Sequence, residues 1–83
     1  MAMQTYYRVS GEITAAIVTA GGGSSNAITG VLSAWADSIP GIIISGQENT
    51  KFIKSMNGMR IWGVQGFDIV DMVKKITKYS VRV

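Results

Sequence analysis

Two short apolar runs without alternation bracket a stretch of helical periodicity. Ile13-Thr14-Ala15-Ala16-Ile17-Val18-Thr19 is rich in β-branched residues and ends at Gly21-Gly22-Gly23, and Gly41-Ile42-Ile43-Ile44-Ser45-Gly46 is continuously apolar. Strands that carry apolar side chains on both faces are the kind found in a parallel sheet covered on both sides. Between them Ile28, Val31, Leu32 and Trp35 stand at i, i+3, i+4 and i+7, the stripe of an amphipathic helix. Ser24, Ser25 and Asn26 are its candidate N-caps. Ile39 extends the stripe and Pro40 stops it, because the residue before proline avoids the helical region. Strand, glycine loop, helix, turn and strand make one βαβ unit, with a right-handed crossover expected.

From Gln47 to Gly66 no clean period is visible, and the segment reads as a long irregular loop with a helical turn around Phe52 to Met56. Loops of that length are usually functional or mobile. Asp68 opens a second helix, with Asp71 three residues on and both acids at the positive end of its dipole. Ile69, Met72, Val73 and Ile76 form the apolar face, while Lys74, Lys75 and Lys78 gather at the negative end. Tyr79-Ser80-Val81-Arg82-Val83 alternates and predicts an entering strand. The fold class expected is α/β: a partial parallel sheet with flanking helices, made of a βαβ unit, a further helix and a C-terminal strand.

Composition narrows the chemistry. Of 83 residues 47% are hydrophobic and 16% charged, which excludes an intrinsically disordered chain. Without cysteine there is no disulfide framework and no thiolate metal site, and without histidine the commonest general base is missing. The net charge is +3, and Lys74, Lys75, Lys78 and Arg82 place half of the eight basic residues in the last ten positions. Four charges that complete a helix dipole describe a solvated face more readily than a nucleic-acid site, so no nucleic acid is expected. No run approaches the roughly 20 apolar residues of a membrane span, and the first residues lack the pattern of a secretory signal. A cytoplasmic protein without membrane contact is the expectation.

The triple glycine, after a strand and before a helix, is the strongest chemical candidate. Backbone N–H groups and the helix dipole there favour an anion or a close ligand. The loop nearly spells the dinucleotide fingerprint, but Asn26 stands at the third glycine, and no Lys-Ser or Lys-Thr pair follows to make a P-loop. A tight turn needing positive φ explains it more readily. Asp37, near a helix C-terminus, is mildly unfavourable there. Trp35 and Trp62 read as packing residues. Glu12 and Glu48 have no partner visible in the sequence, and no acid–base pair emerges.

Longer blocks resemble a known family. Gly21-Gly22-Gly23-Ser24-Ser25-Asn26-Ala27-Ile28-Thr29-Gly30-Val31 is similar to the GPGATNAITGV segment of thiamine-diphosphate-dependent enzymes of the acetolactate synthase type. Ala34-Trp35-Ala36-Asp37-Ser38-Ile39-Pro40 resembles their AWxDSIP helix end, and Ile44-Ser45-Gly46-Gln47 their ISGQ strand end. Gly63-Val64-Gln65-Gly66-Phe67-Asp68-Ile69-Val70 is similar to GxQExDIV, Val73-Lys74-Lys75-Ile76-Thr77-Lys78-Tyr79 to VKPITKY, and Thr5-Tyr6-Tyr7-Arg8-Val9-Ser10-Gly11 more weakly to GYARxTG.

The resemblance implies that residues 1–83 are part of a thiamine-diphosphate-enzyme N-terminal, pyrimidine-binding domain. It implies cofactor-binding roles for Gly21, Gly22, Gly23, Asn26 and Gln47, with the Gln47 amide donating to a bound intermediate and Asn26 starting a helix. In the full-length family it implies thiamine diphosphate with Mg²⁺ as cofactor, with little binding expected of residues 1–83 alone, 2-oxo acids as substrates, and homo-oligomers with active sites between subunits. Departures accompany the matches: Gly22 replaces the family proline, Ser24-Ser25 replaces Ala-Thr, Gly66 replaces a glutamate and Lys75 a proline. The family's glutamate that pairs with the aminopyrimidine lies upstream of the Tyr-x-Arg block, where only five residues precede Tyr6, so no catalytic residue is assigned. The diphosphate and metal belong to a separate domain with a GDG-type motif, which has no counterpart after Asp68, so no metal ligand is assigned either. The expectation is a carboligase or decarboxylase fragment, inactive alone, or else a non-catalytic module that docks on full-length relatives. Two buried-type strands with two helices also predict at least one exposed apolar sheet face or edge, and hence self-association.

Overall fold

A computed structural model describes residues 1–55, 58 and 60–83. Its elements are α1 (Ala2–Ser10), β1 (Ala15–Val18), α2 (Gly22–Ala36), β2 (Ile42–Ser45), α3 (Thr50–Ser55) and α4 (Ile69–Val73), the last prolonged by a 3-10 turn over Lys74–Ile76. The strands pair in parallel, from Ala15 opposite Ile42 to Val18 opposite Ser45. The ladder is prolonged at both ends, by the Ile42 N–H on the Thr14 carbonyl (3.2 Å) and the Gly46 N–H on the Val18 carbonyl (2.9 Å). The βαβ unit and the α/β class are therefore as the apolar runs predict.

The central helix differs at both ends from the sequence reading. It starts at Gly22, and its N-cap is Gly21 (φ 64°, ψ −119°) rather than Ser24, Ser25 or Asn26. The two serine hydroxyls point back along the helix, donating to the Gly21 and Gly22 carbonyls at 2.9 and 3.1 Å. At the other end α2 stops at Ala36, short of Ile39. Ser38 enters the left-handed region (φ 56°), the Ile39 N–H reaches the Ala34 carbonyl (2.9 Å), and the Ser38 N–H reaches that of Trp35 (3.2 Å). That is a Schellman closure built on a serine instead of the usual glycine.

Helix α1 has no counterpart among the elements expected from the sequence, although Met3, Tyr6 and Tyr7 stand at i, i+3 and i+4. It ends on Gly11 (φ 75°), whose N–H returns to the Tyr7 carbonyl at 2.8 Å. It docks through a polar residue: Gln4, 5% exposed, donates to the Gly30 carbonyl (2.8 Å) and accepts from the Ser33 hydroxyl (3.3 Å). An Arg8–Asp37 ion pair (2.7 Å) joins the far ends of α1 and α2 and gives Asp37 a cation to offset its place at a helix C-terminus. Both side chains are exposed, so the pair adds little stability.

In α4, Asp68 caps the helix as expected, accepting from the Asp71 N–H at 3.1 Å. Ile69, Val73 and Ile76 are half-buried, while Met72 is exposed. Lys74 pairs with Asp71 at 2.9 Å, and that bond, with the nearby carboxylate charge, raises the ammonium pKa. The expected helical turn over Phe52 to Met56 is met by α3 as far as Ser55; Met56 lies outside the described residues.

Two expectations fail in the sheet. Tyr79–Val83 forms no strand: Tyr79, Val81 and Val83 are all exposed, and Arg82 lies over the Trp62 ring, 5.3 Å from its centre. Alternation alone makes no strand without a ladder partner. Nor are the strands covered on both faces. Among the described residues only Ala20 and Ala34 are buried apolar side chains, while Ile17 is 80% exposed and Ile42 and Ile44 more than half. The reason is arithmetic of layers: α2 packs on β1, α4 and the 3-10 turn, and the two-stranded sheet keeps open edges and an open face. The exposed apolar face expected for so small a set of elements is present.

Candidate functional site

The C-terminal ends of β1 and β2 bring the glycine loop and Gln47 to one edge of the sheet, the edge where open α/β folds take ligands. The three glycines are there for different reasons. Gly21 needs its positive φ, and a Cβ on it would run into the Gln65 carbonyl and side chain. A Cβ on Gly23 would collide with the Thr19 methyl group, so this position is bare for close packing of helix on loop. Gly22 has open space around it. As first-turn residues of α2, Gly22, Gly23 and Ser24 have N–H groups without acceptors in the helix itself.

Gln47 is half-buried, and both ends of its amide are engaged. Nε2 donates to the Phe67 carbonyl at 2.9 Å, and Oε1 accepts the Glu48 N–H at 3.0 Å. An amide nitrogen carries two hydrogens, so one donor remains for a ligand. The neighbouring Glu48 carboxylate accepts the Gln65 N–H at 3.1 Å. Trp62 and Gly66 exchange backbone hydrogen bonds of 2.7 and 2.8 Å, which closes the turn that carries Gln65 over Gly21. The strand end, the 62–66 turn and the glycine loop thus form one connected cluster.

Beside that cluster runs an open groove of about 990 Å³ between β2, α2, α4 and the C-terminal residues. Its walls are mainly apolar, with Ile28, Trp35 and Ile44 among them, and Ser24 and Gln47 supply polar groups near the strand ends. Of the five residues singled out in the sequence, Gln47 lines this groove. Gly21, the N-cap of α2, and Gly22 and Gly23 in its first turn stand beside it, and Asn26, an exposed residue in the second turn of α2, neither caps the helix nor lines the groove. The sequence reading missed Glu48 and Gln65, because their contact spans 17 positions and no local pattern announces it.

A parallel βαβ unit with a glycine turn and a polar amide at its strand ends is the frame of an α/β ligand-binding domain. Residues 1–72 match the family described as thiamine pyrophosphate enzyme, N-terminal TPP binding domain, and the chain belongs to that family. It is 37% identical over 75 residues to the acetolactate synthase large subunit of Haemophilus influenzae, an overlap of 90% of this chain and 12% of the relative. It is 38% identical over 76 residues to the acetolactate synthase isozyme 3 large subunit of Escherichia coli K12, covering 88% and 12%. It is 33% identical over 78 residues to the probable acetolactate synthase large subunit of Methanocaldococcus jannaschii, covering 94% and 12%. The chain therefore spans about an eighth of the length of these curated relatives.

The site fits one part of the family's cofactor better than the other. A groove with apolar walls and a few polar groups suits a flat heteroaromatic ring. For a metal ion the case differs: no three carboxylate, histidine or cysteine side chains converge among the described residues.

Proposed function

We propose that this chain supplies the pyrimidine side of a thiamine-diphosphate site in a cytoplasmic, oligomeric, acetolactate-synthase-like carboligase or decarboxylase of 2-oxo acids. The observation that carries the reading is the meeting of the glycine loop and Gln47 at one sheet edge, beside an apolar groove, in a chain of the thiamine pyrophosphate family. When bound, thiamine diphosphate supplies the nucleophilic carbon and the electron sink for the 2-oxo acid. Gly21 shapes the loop, Gly22 and Gly23 offer first-turn N–H groups, and Gln47 offers its second amide hydrogen. Asn26, one turn further along α2, serves the same region only through its position on the helix. The reading assigns the diphosphate and Mg²⁺ to residues outside this set. By this account the chain alone is inactive.

Trp35 lines the groove and so reports on its occupancy. In a Trp62→Phe variant, where Trp35 is the sole tryptophan, thiamine diphosphate is expected to quench fluorescence saturably, and Gln47→Ala to weaken that response. No saturable change at millimolar ligand would overturn the reading. Purified chain supplied with pyruvate, thiamine diphosphate and Mg²⁺ is expected to release no acetolactate or aldehyde, and robust release would remove the claim of inactivity. The exposed Ile17, Ile42 and Ile44 favour a second reading, a non-catalytic module that docks on full-length relatives. Failure to retain a full-length acetolactate synthase large subunit in a pull-down would dispose of it.

A further inference from the structure

We propose that Glu48 is a positioning residue that clasps the 62–66 turn onto the glycine loop and Gln47, fixing the shape of the ligand edge. Its ligand rests on the thiamine reading above; its geometry does not. The Glu48 backbone N–H holds Gln47 Oε1 at 3.0 Å, while its side-chain Oε1 holds the Gln65 N–H at 3.1 Å. Gln65 in turn fills the space over Gly21. One residue thus ties the end of β2 to the turn that roofs the loop after β1. Two glycines are cut to admit it. A Cβ on Gly63 (φ 64°) would stand 2.8 Å from Glu48 Oε2, and a Cβ on Gly66 would collide with Glu48 Cγ and stand 2.8 Å from both Gln47 Oε1 and the Trp62 carbonyl oxygen. Gly66 is buried, so a side chain there has nowhere else to go. The bond from the Gln65 N–H to the Glu48 carboxylate is charge-assisted though exposed, so it acts as a local tie on the turn.

Hydrogen exchange read by mass spectrometry on the full chain tests the clasp, with Trp35 quenching by thiamine diphosphate as the second readout. Glu48→Ala is expected to speed exchange in residues 62–67 about tenfold and weaken quenching about tenfold, the loss of one charge-assisted bond. Glu48→Gln, which keeps an acceptor, should stay within about threefold of the parent on both. Glu12→Ala, a charge-matched change elsewhere, should leave both readouts unchanged. Unchanged protection of 62–67 in Glu48→Ala would overturn the proposal, as would equal acceleration in α1, which marks general destabilisation rather than a local clasp. If the parent chain shows no quenching at all, the thiamine reading fails while the exchange data still decide the clasp.

Discussion

A glycine can be required by its torsion, by a neighbour or by neither, and the loop at 21–23 contains all three cases. Gly21→Val is expected to destabilise by about 2 kcal/mol or more, because it adds a side chain both at positive φ and against Gln65. Gly23→Val should cost a similar amount through its collision with Thr19. Gly22→Ala should be neutral or stabilising by up to about 0.5 kcal/mol, since it occupies open space at a helical position. Denaturant midpoints of the three variants check this order; equal losses at all three positions would contradict it. The loop itself was legible in the sequence because three adjacent glycines after a β-branched run leave few alternatives. The division of labour among them was not, because it depends on Thr19 and on Gln65, and Gln65 lies more than 40 positions away.

Among the elements, the two apolar runs and the central helical stripe were legible, the alternation at Tyr79–Val83 misled, and the polar anchoring of α1 was not legible. The strand–helix–strand unit follows from two apolar runs and one 3.6-residue stripe. The Asp68 cap follows from an acid placed just before another stripe. Asp68→Ala should therefore cost about 1 kcal/mol, seen as a lower denaturant midpoint with loss of helical circular dichroism. Helix α1 went unread although Met3, Tyr6 and Tyr7 give it an amphipathic pattern; its one buried anchor, Gln4, is a polar side chain held by hydrogen bonds to α2 that hydropathy does not show. Gln4→Leu should detach it, leaving the Gly30 carbonyl and the Ser33 hydroxyl without their partner, at about 1–3 kcal/mol. Arg8→Ala removes only an exposed pair and should cost less than about 1 kcal/mol, measured in the same way. The residues of the candidate site were half legible: Gln47 ends an apolar strand and stands out, whereas Glu48 gains its meaning from the turn folded onto it.

At the scale of the whole molecule, the chain is longer than it is compact. Its extents are 44 × 20 × 20 Å and its radius of gyration is 13.9 Å, against about 12 Å for a compact domain of this length. Two strands with open edges and exposed isoleucines are a template for association. Light scattering is expected to show an oligomer or aggregate, and a monodisperse monomer with a cooperative thermal transition would contradict this. The central claim, that the chain carries the ring side of a thiamine-diphosphate site and not the diphosphate side, has its most direct test in three titrations read through Trp35. Thiamine, thiamine diphosphate, and thiamine diphosphate with Mg²⁺ are compared. Saturable binding of similar strength is expected in all three. A strong gain from the diphosphate that depends on Mg²⁺, or no binding of any of them, would contradict it.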